Sequence, residues 1–181
     1  MRATLTVVAI IGALVTSGPA AAAVPPPRLA IDNLKQLPTP LPIPYDEKAS
    51  PAQVNAEGDA AMARARVNGR RVLIDFGGNW CSWCRLLAAT MDLPEAKPFI
   101  AAHFEVVDVD ASLKGKTDHN LQTVHRFGPK RIAGYPWLIV AEPDGRVLAS
   151  SYPVTDEFHH TPQAMIHWIA ERAAPTTAAR P

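Results

Sequence analysis

Cysteine is nearly absent. The 181 residues hold two, Cys81 and Cys84, separated only by Ser82 and Trp83. No second cysteine pair exists, so a four-thiolate zinc site is excluded. Basic runs and aromatic–basic stripes are also missing, and the formal net charge is +1. Nucleic acid therefore has no electrostatic footprint to bind. Between Val24 and Ser50 both helical and strand periods are lacking, because prolines stand at 25–27, 38, 40, 42 and 44. Such a stretch favours extended, hydrogen-bond-poor backbone and reads as a linker or a surface strap.

What is present is ordinary for a folded chain. Hydrophobic residues make up 48% and charged residues 19%, which argues against whole-chain disorder and for one domain with a buried core. Residues 1–23 read as a secretory signal: Arg2 as the charged region, Leu5 to Val15 as the apolar region, and small residues at Ala21 and Ala23 before Val24. An uncleaved anchor is the competing reading, since Ala3 to Ala23 is nearly long enough to span a bilayer. The terminal alanines add little hydrophobicity and favour cleavage, and no cysteine is there to carry a lipid. Periplasmic or other export is the resulting expectation, with residues 24–50 a linker or strap, 51–174 the folded domain and 175–181 a loose tail.

The domain begins at Ser50-Pro51-Ala52-Gln53, a capping-box pattern with proline at the first helical position. A helix is predicted from there to Val67, with a stop at Asn68-Gly69. Val72 to Phe76 is predicted as a strand and the residues after Cys81 as a helix ending near Pro94. A short helix over Glu95 to His103, a strand over Val106 to Val109, and a helix over His119 to Phe127 capped by Asp118 follow. Trp137 to Ala141 and Val147 to Tyr152 are predicted as a hairpin around Pro143-Asp144-Gly145, and Thr161-Pro162 starts a final helix. Helical crossovers between the first three strands imply that these run parallel, with an antiparallel hairpin strand added. The expected class is α/β, a three-layer α/β/α sandwich around a central mixed sheet.

The two cysteines then fall between a strand and a helix. In a Cys-x-x-Cys loop a disulfide constrains little of the unfolded chain, so stability is a poor reason for the spacing. Chemistry is the better reason. A thiolate attacks disulfides, and a helix N-terminus lowers a cysteine pKa from about 8.5 to roughly 3.5–7.5. Cys81 in the first turn is the expected nucleophile and Cys84, one turn deeper, the resolving thiol. Asp75 interrupts an apolar strand; it either faces solvent by alternation or is buried, and the flanking Leu73 and Ile74 favour burial. Buried, it would have a raised pKa and could exchange a proton with Cys84.

The run Asp75-Phe76-Gly77-Gly78-Asn79-Trp80-Cys81-Ser82-Trp83-Cys84 resembles the active-site segment of the thioredoxin superfamily, and Gly134-Tyr135-Pro136 resembles that family's cis-proline loop. Within the superfamily the chain is most similar to exported thioredoxin-like reductases and the C-terminal domain of DsbD. The resemblance implies Cys81 as nucleophile, Cys84 as resolving thiol and Asp75 as proton-transfer group. It also implies Trp80 packed beside the disulfide, and Pro136 presenting the Tyr135 backbone to an extended substrate.

Three departures matter. Ser82-Trp83 replaces Gly-Pro, so no redox potential is inherited; Val106 stands where thioredoxin has a lysine; and Gly77 replaces an aromatic residue, opening space. Trp83 has two readings, local packing or a contact for a partner protein. The implied activity is reduction of protein disulfides, with no cofactor beyond the Cys81–Cys84 couple, substrate proteins and a membrane electron donor of the DsbD type as partners, and a monomeric state. The rivals are a copper or zinc chaperone, a disulfide oxidase or isomerase, and a binding module with an inert staple. The metal reading is weakened because His159-His160 lies far along the chain in a polar loop.

Overall fold

The computed structural model describes residues 24–111, 120–127, 134–151 and 161–173. Helix α1 (Pro51–Asn68) opens as its sequence demands. Ser50 caps it by accepting from the Gln53 backbone, and the Gln53 side chain returns the bond to the Ser50 N–H at 2.9 Å. It closes at Gly69, whose φ of 67° is left-handed and suits glycine. Gly58 lies buried in its middle, and a Cβ there would meet nothing within 4 Å. Gly58→Ala is therefore expected to stabilise the chain by about 1 kcal/mol, read as a rise in the urea midpoint.

The remaining elements are β1 (Arg71–Gly77), α2 (Ser82–Met91), α3 (Ala96–His103), β2 (Phe104–Asp110), α4 (Leu121–Phe127), β3 (Trp137–Ala141), β4 (Val147–Ser150) and α5 (Pro162–Ala170). Each predicted element that falls on described residues is found. Asp118, His119, Tyr152 and the His159-His160 pair lie outside them. β2 starts earlier than expected, at Phe104 rather than Val106. Among the described residues no helix is long and apolar enough to cross a membrane.

The strand order is β2-β1-β3-β4. β1 pairs parallel with β2 but antiparallel with β3, which corrects the expectation of three parallel strands. The reason is where the chain re-enters the sheet. The Tyr135 hydroxyl donates to Ala111 O at 2.6 Å, pinning the entry to β3 beside the exit from β2. β3 must then run the opposite way.

Alternation along β1 feeds two cores. Val72, Ile74 and Phe76 meet Ala61, Met62 and Ala65 of α1 and Val124 and Phe127 of α4. Leu73 meets Leu87 of α2, Ile100 of α3 and Met165, Ile166 and Ile169 of α5. Each fully buried aliphatic side chain contributes about 1.5–3 kcal/mol, so this central strand is the most heavily anchored element. Residues 24–50 lie on the second core. Leu29 and Leu37 are buried in it, and the Gln163 side chain of α5 accepts from Leu29 N and donates to Pro27 O, both at 3.0 Å.

Candidate active site

β1 ends at Gly77, where the chain leaves the sheet and turns through Gly78 and Asn79 into α2. Cys81 is the N-cap of α2 rather than a first-turn residue, and its Sγ accepts from the Cys84 backbone N–H at 3.2 Å. A sulfur in this position receives the unpaired donors and the positive end of the helix dipole, which favours thiolate. Cys81 and Cys84 are joined as a disulfide. Cys84 is 0% exposed and Cys81 7%, so any approach to the pair is to Cys81.

Asp75 is buried, as its apolar neighbours favoured, on the face of β1 that also carries Leu73. Pro136 is buried, the Tyr135–Pro136 peptide is cis, and the Tyr135 ring stands edge-on to Trp80 at 5.8 Å. Tyr135 also packs against the cluster of Tyr45, Cys81 and Cys84. Trp80 and Trp83 are 46% and 38% exposed, so the disulfide is rimmed by two accessible indoles.

Residues 58–161 match the family described as the thioredoxin-like domain. The chain belongs to that family.

Two relatives place this thioredoxin-like chain further. It is similar to a thioredoxin H-type protein of Oryza sativa subsp. indica, 37% identical over 71 residues that make up 39% of this chain. The match spans 57% of that relative's length. It is similar in structure to the disulphide isomerase from Xylella fastidiosa Temecula1, with a TM-score of 0.63 and 28% identity, covering 72% of this chain and 97% of the other.

The thioredoxin-like site holds two residues that sequence reasoning did not place there, Tyr45 and Asp108, and it gives the motif residue Asn79 a task that the motif did not reveal. Tyr45, from the proline-rich segment, is buried and donates its hydroxyl to Asp75 Oδ2 at 2.8 Å. Asn79 grips the Tyr45 backbone by accepting from its N–H at 3.2 Å and donating to its carbonyl at 2.8 Å. Asp108 on β2 stands opposite Asp75 in the parallel register. One signal for Tyr45 was legible. Gly77 leaves a gap, and a Cβ there would overlap the Tyr45 hydroxyl and ring and come within 2.8 Å of Cys84 Sγ. The space opened by Gly77 is filled by a ring from another part of the chain.

The electrostatics follow from burial. Desolvation and then the Asp108 charge push Asp75 well above the usual carboxylate range, and the Tyr45 hydrogen bond pulls the other way. Burial first, and Asp75 next, push the Tyr45 phenol above its ordinary range, so it stays protonated and acts as a donor. Asp75 and Asp108 line a cavity of about 380 Å³ that also meets Pro44, Asp92 and Lys97. Asp108 is exposed on its strand, but its carboxyl lines the cavity, where desolvation first and then the Asp92 charge push it up to about 6.

Among the described residues no group of three or more His, Cys, Asp or Glu could hold a metal ion. His103 is buried and packs on the Phe99 ring at 4.6 Å, and His167 faces Glu171 at 3.1 Å. Both serve packing or surface pairing, apart from the cysteines.

Proposed function

We propose that this thioredoxin-like chain is an exported thiol–disulfide oxidoreductase that reduces disulfides in substrate proteins. In this reading Cys81 attacks, Cys84 resolves, and Asp75 takes the proton of Cys84. The carrying observation is the asymmetric pair: Cys81 at the helix cap with residual exposure, Cys84 sealed behind it. The exposed Trp80 and Trp83, with Tyr135 packed on the cysteine cluster and leading into Pro136, form a docking rim for an extended substrate segment. The apolar leader at residues 1–23 supports export. A reductase outside the cytoplasm needs electrons from across the membrane, so a membrane donor of the DsbD type belongs to the proposal, with the chain acting as a monomer and needing no cofactor.

Equilibration of the purified protein against a glutathione series tests the chemistry. A potential between about −270 and −120 mV is expected of an exchanging couple, and a value below about −300 mV would mark an inert staple and defeat the proposal. A second reading, isomerisation, is favoured by the structural likeness to the Xylella disulphide isomerase. Faster reactivation of a scrambled substrate than reduction of a native disulfide would select it.

Trp83 projects beside the disulfide, and an exposed indole is a common anchor for a protein partner. Trp83→Ala is expected to slow reduction of protein substrates about tenfold, roughly 1.4 kcal/mol, and to leave a small disulfide within about twofold. Equal losses on both would show that the ring only packs locally.

A further inference from the structure

The proline-rich segment does more than cover the domain; it is fastened to both flanks of the cysteine loop. Asn79, just before Trp80-Cys81, clamps the Tyr45 backbone through two hydrogen bonds. Arg85, directly after Cys84, donates to Leu41 O at 2.6 Å and to Pro42 O at 2.9 Å. Between these anchors the Tyr45 side chain enters the gap above Gly77, with its ring beside Cys84 and its hydroxyl on Asp75 Oδ2. The other carboxyl oxygen, Asp75 Oδ1, is fully buried with no hydrogen-bond partner among the described residues.

We propose that Tyr45 is a positioning residue of the dithiol centre: it occupies Asp75 Oδ2 as a fixed donor and leaves Oδ1 as the atom that receives the Cys84 proton. The inference rests on the exchange reading above and extends it to a residue outside the thioredoxin-like motif. A buried carboxylate oxygen already accepting a hydrogen bond is the poorer base of the two, so the proton goes to the free one.

The step balances as follows. In the mixed disulfide, Cys81 Sγ is bonded to a substrate sulfur and Cys84 is a thiol. The Cys84 proton moves to Asp75 Oδ1, and the Cys84 thiolate attacks Cys81 Sγ. The Cys81–Cys84 bond forms as the bond from Cys81 to the substrate sulfur breaks, and the electron pair leaves on the substrate as thiolate. Two electrons have then passed from the protein dithiol to the substrate disulfide. Asp75 returns its proton to solvent through the cavity shared with Asp108.

Only an ionised Asp75 can take that proton. The groups that face it are Tyr45 on the strap, which itself packs against Cys84 of α2, and Asp108 on β2, with Asp110 of β2 acting on Tyr45, Asp92 and Lys97 farther along the cavity, and the apolar Leu138 opposite on β3. Burial and Asp108 oppose ionisation, whereas the Tyr45 hydroxyl favours it. Removing the hydroxyl must move ionisation to higher pH.

The test is Tyr45→Phe in the full chain, because the ring still fills the gap above Gly77. Two measurements are made against pH: resolution of a preformed mixed disulfide, and the carbon-13 titration of the Asp75 carboxyl in the oxidised protein. The hydrogen bond to a charged acceptor predicts an alkaline shift of about one pH unit in both, with resolution slowed about tenfold below the shifted midpoint and attack by Cys81 unchanged. In an Asp75→Asn background Tyr45→Phe is expected to change resolution no further. Asn79→Ala, which releases the clamp from the other side, is expected to shift the titration in the same direction and supplies the comparison if Tyr45→Phe folds poorly. Superimposable titrations for wild type, Tyr45→Phe and Asn79→Ala would overturn the proposal. An equal further loss in the Asp75→Asn background would also overturn it. If the wild-type chain exchanges no disulfides, the functional reading fails, while the carboxyl titration still decides whether Tyr45 governs Asp75.

Discussion

Cys81→Ser is expected to abolish disulfide exchange, by roughly three orders of magnitude, whereas Cys84→Ser is expected to trap covalent complexes with substrate proteins. The asymmetry follows from the helix cap. Cys81 keeps some exposure and sits where the dipole stabilises thiolate, so without it no sulfur can meet a substrate. Cys84 is sealed, and its loss leaves the first attack intact while removing the thiol that would release the product. Non-reducing gels of cells that express each full-length variant read the result, and the captured proteins identify the substrates. Trapping by Cys81→Ser in place of Cys84→Ser would reverse the assigned roles.

Asp75→Asn is expected to stabilise the fold by an amount that grows with pH. The folded state holds the Asp75 proton more tightly than the unfolded chain, because burial and Asp108 disfavour the carboxylate. The contribution of Asp75 to stability is therefore complete below about pH 4, where the carboxyl is protonated in both states, and is lost as pH rises through the folded pKa. Over that window wild-type stability falls by up to about 1.4 kcal/mol per pH unit, a slope that the variant lacks. Asparagine keeps an oxygen to accept from Tyr45, so the comparison isolates the charge. Denaturant unfolding at several pH values provides the measurement, and parallel pH dependences for the two proteins would place the proton elsewhere. Asp108, raised to about 6 but exposed on its strand, adds a smaller, solvent-screened change of the same sign.

Much of the site was legible because its signals are local. The capping pattern at Ser50-Pro51-Ala52-Gln53, the strand before Gly77 and the cysteines at the start of α2 each depend on neighbours within a few residues. The direction of β3 was not, since it depends on where α4 delivers the chain in space. Tyr45 was hidden for a different reason. Proline content describes the backbone of residues 24–50 and says nothing about the side chains that such a segment carries inward. Only Gly77, a missing ring in an aromatic position, hinted that something would come to fill the space. Asp108 escaped because period-2 alternation correctly marks it as an exposed acid on β2 but cannot show that the parallel register sets it opposite Asp75.

The bonds between Gln163 and the backbone at Pro27 and Leu29 also set an order of assembly. They join positions 136 and 134 residues apart, so the earliest described stretch of the domain to be synthesised is seated by the last helix. Contacts of such separation close long loops and form late. The cysteine loop can take its local shape from β1 and α2 alone, but the Gln163 anchor of the strap waits on α5. During synthesis the two sulfurs are therefore present before the strap that carries Tyr45 has its final hold, and maturation of the centre ends at the opposite end of the chain from where it began.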